Sequence, residues 1–182
     1  MTPAKRAPAK RAPARKAAPD DGDRPFDLGA ALLHAFDTND RINQYLLAHL
    51  PPGAWTAAPP GGKGRTVAAI VAHVHNVRLM WLKAVGAAAP PAPLDKATVT
   101  VAEAAAALEA SRAALAAVLA ASLAGGGRVK GFKPDVASFF GYLVAHDAHH
   151  RGQIAQLARQ AGHPLPQAAM FGMWEWGSRA KA

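Results

Sequence analysis

The sequence predicts an all-α protein: a four-helix bundle with a short C-terminal capping helix, preceded by a disordered basic tail. Three observations carry this. Four long stretches repeat their apolar residues at helical spacing. No segment alternates apolar and polar residues for long enough to make a strand. The first 19 residues combine Ala, Pro, Lys and Arg, with six cations and no acid, a composition that cannot form a packed element.

The elements follow in order. Residues 1–24 read as the tail and 25–182 as one bundle domain. After Asp20, Asp21 and Asp23, Leu28, Leu32, Phe36, Ile42, Tyr45, Leu46 and Leu50 recur at helical spacing and predict a first helix from Phe26 to Leu50, ended by Pro51, Pro52 and Gly53. A loop rich in Pro and Gly leads to Thr66, whose hydroxyl suits the cap of a second helix running to about Gly86. A proline-rich crossover from Ala87 to Thr98 follows. Thr100 and Glu103 have capping-box spacing, and the alanine-rich run Val101 to Ala124 stops at Gly125, Gly126 and Gly127. The fourth helix is expected from near Pro134 to Ala161, closed by Gly162 and Pro164. A short helix from Gln167 to about Arg179 is expected to cap the bundle.

Composition excludes some chemistry. The chain has no cysteine, so disulfides, thiolate ligands and a cysteine nucleophile of its own are ruled out. Net charge is +9 and the pI about 10.4, but six of the 21 cations lie in the tail; the remaining 15 against 12 acids leave the body at only +3. High pI is thus mostly a property of the tail, and at most a weak nucleic-acid or acidic-surface contact is expected there. No apolar run suggests a bilayer span of about 20 residues and no secretory signal follows the basic start, so a soluble cytoplasmic protein is expected.

The fourth predicted helix concentrates His146, Asp147, His149 and His150. His146 and His150 are four residues apart and share a face. At about 100° per residue, Val136, Phe139, Leu143, Ile154 and Leu157 fall within roughly 40° of His150, and His146 about 40° to the other side. Both are expected to point inward. His149, about 100° away, reads as a flanking or surface residue, and Asp147 either orients a ligand or pairs with Arg151 four residues on. On the second helix the same arithmetic groups Ala69, Ile70, Val77, Met80 and Ala84 within roughly 60° of His73 and turns His75 about 160° away, so His73 is expected inside and His75 outside. Three imidazoles in one apolar interior without a cation would leave polar nitrogens needing partners. From spacing alone two readings stand, hydrogen-bonded core histidines or a divalent metal ion on His73, His146 and His150, and for the second three imidazoles suit zinc, nickel or iron alike.

The same stretches carry a family likeness: His73 with Trp81 on the second helix, then His146-Asp-Ala-His-His150-Arg-Gly-Gln-Ile-Ala-Gln-Leu-Ala-Arg-Gln-Ala-Gly, then Trp174-Glu-Trp-Gly. On these residues the chain resembles the DinB-like family of bacterial four-helix-bundle proteins from about Phe26 to Arg179; the tail has no counterpart. The resemblance implies His73, His146 and His150 as metal ligands. It also implies a metal-dependent transferase or isomerase using an external low-molecular-weight thiol such as bacillithiol, mycothiol or glutathione, although many members have no assigned activity. Expected partners are a small-molecule substrate or thiol and no membrane, with a homodimer allowed. The alternative is a non-catalytic metal-binding or stress-associated protein.

Other chemistries find little support. Ser138 lies about 12 Å along the helix axis from His146, too far for a nucleophile and its base. Gly61-Gly-Lys-Gly-Arg-Thr66 lacks the order of a phosphate loop and has no strand before it. Trp55, Trp81, Trp174 and Trp176 read as core or capping aromatics. Arg151 reads either as a carboxylate-binding residue or as the partner of Asp147.

Overall fold

The computed structural model describes residues 25–181. The expected tail lies outside the described residues. The chain is mostly helical, in the order α1 (Leu28–Ala48), α2 (Val67–Val85), α3 (Val101–Ala124), β1 (Arg128–Val129), β2 (Phe132–Asp135), α4 (Val136–Gln160), α5 (Gln167–Gly172) and α6 (Trp176–Arg179).

The long helices start where their caps are. Asp27 accepts from the Ala30 amide, which is why α1 begins at Leu28 and leaves Phe26 outside. Thr66 caps α2, and Gly86 ends it in the left-handed region at φ 86°, its amide reaching back to Leu82 and Lys83 carbonyls. Thr100 and Glu103 form the expected capping box on α3.

Between α3 and α4 the structure departs from the all-helical expectation. Arg128–Val129 and Phe132–Asp135 pair as an antiparallel hairpin whose turn carries Gly131 at φ 85°. Two strands of two and four residues are too short to show a period-two pattern. Pro134 therefore sits on a strand, and Asp135, accepting from the Ser138 amide, caps α4 instead. The expected single C-terminal helix is two, broken at Met173, Trp174 and Glu175. Trp174 is 79% exposed, so it is not the core or capping aromatic that was expected. The α6 end closes on α1: Arg41 donates to the Ala180 carbonyl, and the Arg179 guanidinium lies 4.1 Å over the Tyr45 ring.

The four long helices pack α1 and α2 against both α3 and α4. Their core is two apolar halves. One gathers Leu46, Leu47, Val71, Val74, Leu108, Ile154 and Leu157; the other Phe36, Leu82, Leu115, Leu119, Phe139 and Leu143, with Trp81, Phe132 and Tyr142 stacked edge to face beside it. Helix α3 is long and apolar enough to cross a membrane by length and composition, contrary to the expectation that no stretch would be. Its Leu108, Ser111, Leu115 and Leu119 are buried among the other helices.

A polar belt separates the two halves, and every long helix contributes to it: Asn39, Asp40 and Asn43 from α1, His75 and Arg78 from α2, Ser111 from α3, Asp147 from α4. Arg78 is its hub. It donates to Asp40 Oδ1 (2.8 Å), Asp147 Oδ2 (2.7 Å) and the Leu108 carbonyl (2.9 Å). Through Arg78 and Asp147 the belt joins α2 to α4, five residues from His73 on the one helix and one residue from His146 on the other.

Candidate metal centre

His73 on α2 and His146 and His150 on α4 converge. One ring nitrogen from each lies within 4.8 Å of the others, and the Nε2 atoms of His146 and His150 are 3.2 Å apart. Nitrogens bound about 2.0–2.1 Å from one tetrahedral ion are roughly 3.3–3.4 Å apart, so the α4 pair already has chelating geometry. The ring of His73 stands 4.8 Å from that of His150 and 5.4 Å from that of His146, closing the third side.

Hydrogen bonding aims the pair. His150 Nδ1–H donates to Gln153 Oε1 at 2.8 Å, which leaves the Nε2 lone pair directed at the centre. Burial lowers the pKa of all three rings. For His146, burial and then the neighbouring His150 push it down to about 4; for His73, burial is followed by the charges of Arg65 and His150. Each ring is neutral at physiological pH, the form that ligates metal. The donor set of three neutral imidazoles therefore fits a divalent transition ion in both distance and charge.

Those shifts have a consequence for folding. A histidine with a lowered pKa binds fewer protons folded than unfolded, so stability is full above pH 6.5 and falls as pH drops below it, for His146 down to about 4. The buried His75 adds in the same direction. Metal-free protein melted by circular dichroism should lose Tm steadily between pH 7 and 5, and His146→Gln should flatten that slope. A Tm independent of pH across this window would contradict the assignment of neutral rings.

The surroundings open on one side. The 57–66 loop and α4 enclose a cleft of about 720 Å³ that includes Arg65, His149 and Gln153; none of the three histidines lines it, and Gln153, which bonds His150, joins it to the centre. A family model, the DinB family, matches residues 25–178. The chain belongs to the DinB family. No curated protein and no solved structure matches it.

In this DinB-family chain the structure brings together the three histidines singled out from sequence and relocates their neighbours. His75 was expected outside but is fully buried: its Nε2–H donates to the Ala92 carbonyl, and Nδ1 accepts from the Ser111 hydroxyl. It ties the proline-rich crossover to α2 and α3, and Asn76 ties it to α2 through the amide and carbonyl of Leu94. The buried stripe of α2 runs through Val71, Val74, His75, Arg78 and Leu82, while Met80, expected inside, is 51% exposed. His73 thus sits, half-buried, at the edge of the buried face. His149 is exposed, as expected of a surface residue.

Asp147 does not pair with Arg151 as considered. Its Oδ2 accepts from Arg78, Asn39 and Asn43, and these bonds hold its pKa low in spite of its burial. Arg151 donates to Asn43 Oδ1 at 2.6 Å instead. Missed altogether were Asn39, Asp40, Asn43 and Arg78, whose polarity marked them as surface. The one available signal was spacing: Asn39 and Asn43 are four residues apart on an otherwise apolar face of α1.

Proposed function

We propose that the protein is a metal-dependent enzyme in which His73, His146 and His150 hold a divalent ion, zinc, nickel or iron, and that it activates an external low-molecular-weight thiol, or water, for attack on an electrophilic small molecule. The observation that carries this reading is the convergence of three neutral imidazoles, two of them only half-buried, with Gln153 joining His150 to an open cleft. A purely structural ion needs a closed shell, whereas a catalytic one keeps an open position. When bound, such an ion supplies charge that lowers the pKa of a coordinated thiol or water toward neutrality.

The protein's own residues divide the remaining work. Gln153 keeps the His150 ring turned toward the centre; the belt around Asp147 fixes the height of His146; the cleft admits the substrate. With no cysteine in the chain, a thiol must enter from solution. We read the four long helices as one bundle with α5 and α6 as its cap, and the protein as a soluble cytoplasmic one.

The test has two stages. Untagged protein, supplemented with zinc, nickel and iron in turn, should retain close to one equivalent of at least one of them by elemental analysis. Metal-loaded protein mixed with several thiols and a chromogenic electrophile should then exceed the rate of His150→Ala by about a hundredfold or more, as expected when a ligand is lost. No retained metal sinks the site. Retained metal without any rate above the variant would leave an ion that pins α2 to α4.

A further inference from the structure

A second pocket lies on the other side of α4. At about 100° per residue, Ala148 and Gly152 stand about 160° round the helix from His150, and with Ala155 they give the pocket a floor of small side chains turned away from the histidine centre. Met173, Trp174 and Trp176 from the C-terminal segment form its wall, and the space enclosed is about 250 Å³. Every lining residue is apolar, aromatic or glycine except Arg151. That side chain is half-buried and makes no ion pair among the described residues. Its Nη1 is held on Asn43 Oδ1, and Asn43 is itself fixed by donating to Asp147. Nε and Nη2, the edge of the guanidinium with two parallel N–H groups, make no hydrogen bond among the described residues and are not sealed from solvent.

We propose that this pocket is a ligand site separate from the histidine centre and that it takes a small apolar monocarboxylate, one ring on a short chain, with the carboxylate on the Nε–Nη2 edge of Arg151 and the ring between α4 and the two tryptophans. The site stands whether or not the histidines hold an ion. A single guanidinium with no second cation beside it matches one negative charge, and its free edge can grip both oxygens of a carboxylate through parallel hydrogen bonds. In apolar surroundings such bonds are stronger than in water, and a polar edge left there without a partner is costly. A neutral ligand leaves that edge unpaired, and a phosphate brings more charge than one guanidinium answers. Tryptophan supplies a flat apolar face for a ring, and methionine adapts to its outline. Trp174 is 79% exposed and Trp176 37%, so a ring laid against them removes apolar surface from water. The volume falls below the range of about 300–1,000 Å³ typical of sites for drug-sized molecules, which limits the ligand to one ring and its chain. Because Asn43 already holds the guanidinium in place, little order has to be gained on binding.

The probe pair is 4-phenylbutanoate and 4-phenylbutanamide, alike in shape and different in charge. Each is titrated by calorimetry into the full chain, metal-free and zinc-loaded, with tryptophan fluorescence followed in parallel. The carboxylate should bind about tenfold more tightly than the amide to both forms, and equally to His73→Ala. Arg151→Gln should bring the two probes within about twofold while the amide binds as before, which shows that the pocket itself persists. Gly152→Leu should weaken both by more than about tenfold, since its side chain occupies the pocket; nothing stands within 4 Å of a Cβ at that position, so the variant folds even if Arg151→Gln does not. Equal binding of the two probes, binding by neither, a preference that survives Arg151→Gln, or undiminished binding to Gly152→Leu would each overturn the proposal. So would a preference that appears only with zinc and vanishes in His73→Ala, which would place the carboxylate on the ion and leave the histidine centre standing.

Discussion

His73→Ala is expected to abolish tight metal binding while leaving the fold nearly as stable as before. The ring is half-buried at the edge of the buried face of α2 and makes no hydrogen bond to another element among the described residues. Removing it deletes one of three donors and leaves two on α4. Loss of an outer-shell partner alone weakens metal sites about 10–100-fold, so losing a donor should cost more than about a hundredfold in affinity. His75→Ala, two residues along, should do the reverse. It keeps the three donors but removes a fully buried ring with its hydrogen bonds to the Ala92 carbonyl and to the Ser111 hydroxyl, which retains Leu108 and Arg78 as partners, at a cost of about 1–3 kcal/mol. Competition with a chromophoric chelator reads the first quantity and urea unfolding the second. Equal loss of metal in both variants would mean that the two histidines had been assigned to the wrong sides of α2.

The contrast between these two residues shows what could be read from the chain and what could not. Helix starts were legible because Thr66, Thr100 and Glu103 are side chains whose polarity satisfies the orphan amides of a first turn, a purely local requirement. The α4 histidine pair was legible for the same reason: His146 and His150 are four residues apart on one helix, and their geometry needs no knowledge of any other element. The orientation of α2 was only half legible. Its stripe was centred on His73 by counting apolar neighbours, but the true inward face includes His75 and Arg78, which hydropathy assigns to water. A buried arginine declares itself only through its partners, and those, Asp40 and Asp147, lie 38 and 69 residues away in sequence. The hairpin escaped for another reason, since four residues of ladder are held by the turn at Gly131 and by adjoining helices, with no periodicity of their own.

Arg78→Met should produce the largest loss of stability of any single substitution in the belt. The guanidinium is fully buried between two carboxylates and a backbone carbonyl, and with it gone Asp40 and Asp147 face one another with no charge between them. Breaking a buried pair by removing one partner costs about 3–5 kcal/mol, which for a chain of this size lowers Tm by roughly 10–15 °C. The loss should depend on pH in a way that a packing defect would not. Without Arg78, the buried carboxylates take up protons more readily than in the unfolded chain, so the folded variant gains relative stability as pH falls. Its deficit against the parent protein, measured by urea unfolding, should therefore be smaller at pH 5 than at pH 7. Asp40→Leu combined with Arg78→Met should recover part of the loss, because replacing a buried charge pair by apolar groups is far less costly than orphaning one member. Asp147 is the more instructive partner to leave in place. It sits one residue from His146 and holds that stretch of α4 against α1 through Asn39 and Asn43, so a carboxylate released from Arg78 should shift the His146 ring as well as weaken the fold. Metal affinity and stability should fall together in Arg78→Met, in contrast to His73→Ala and His75→Ala, where they separate; a variant that lost stability with metal affinity unchanged would show that the belt supports the helices without setting the centre.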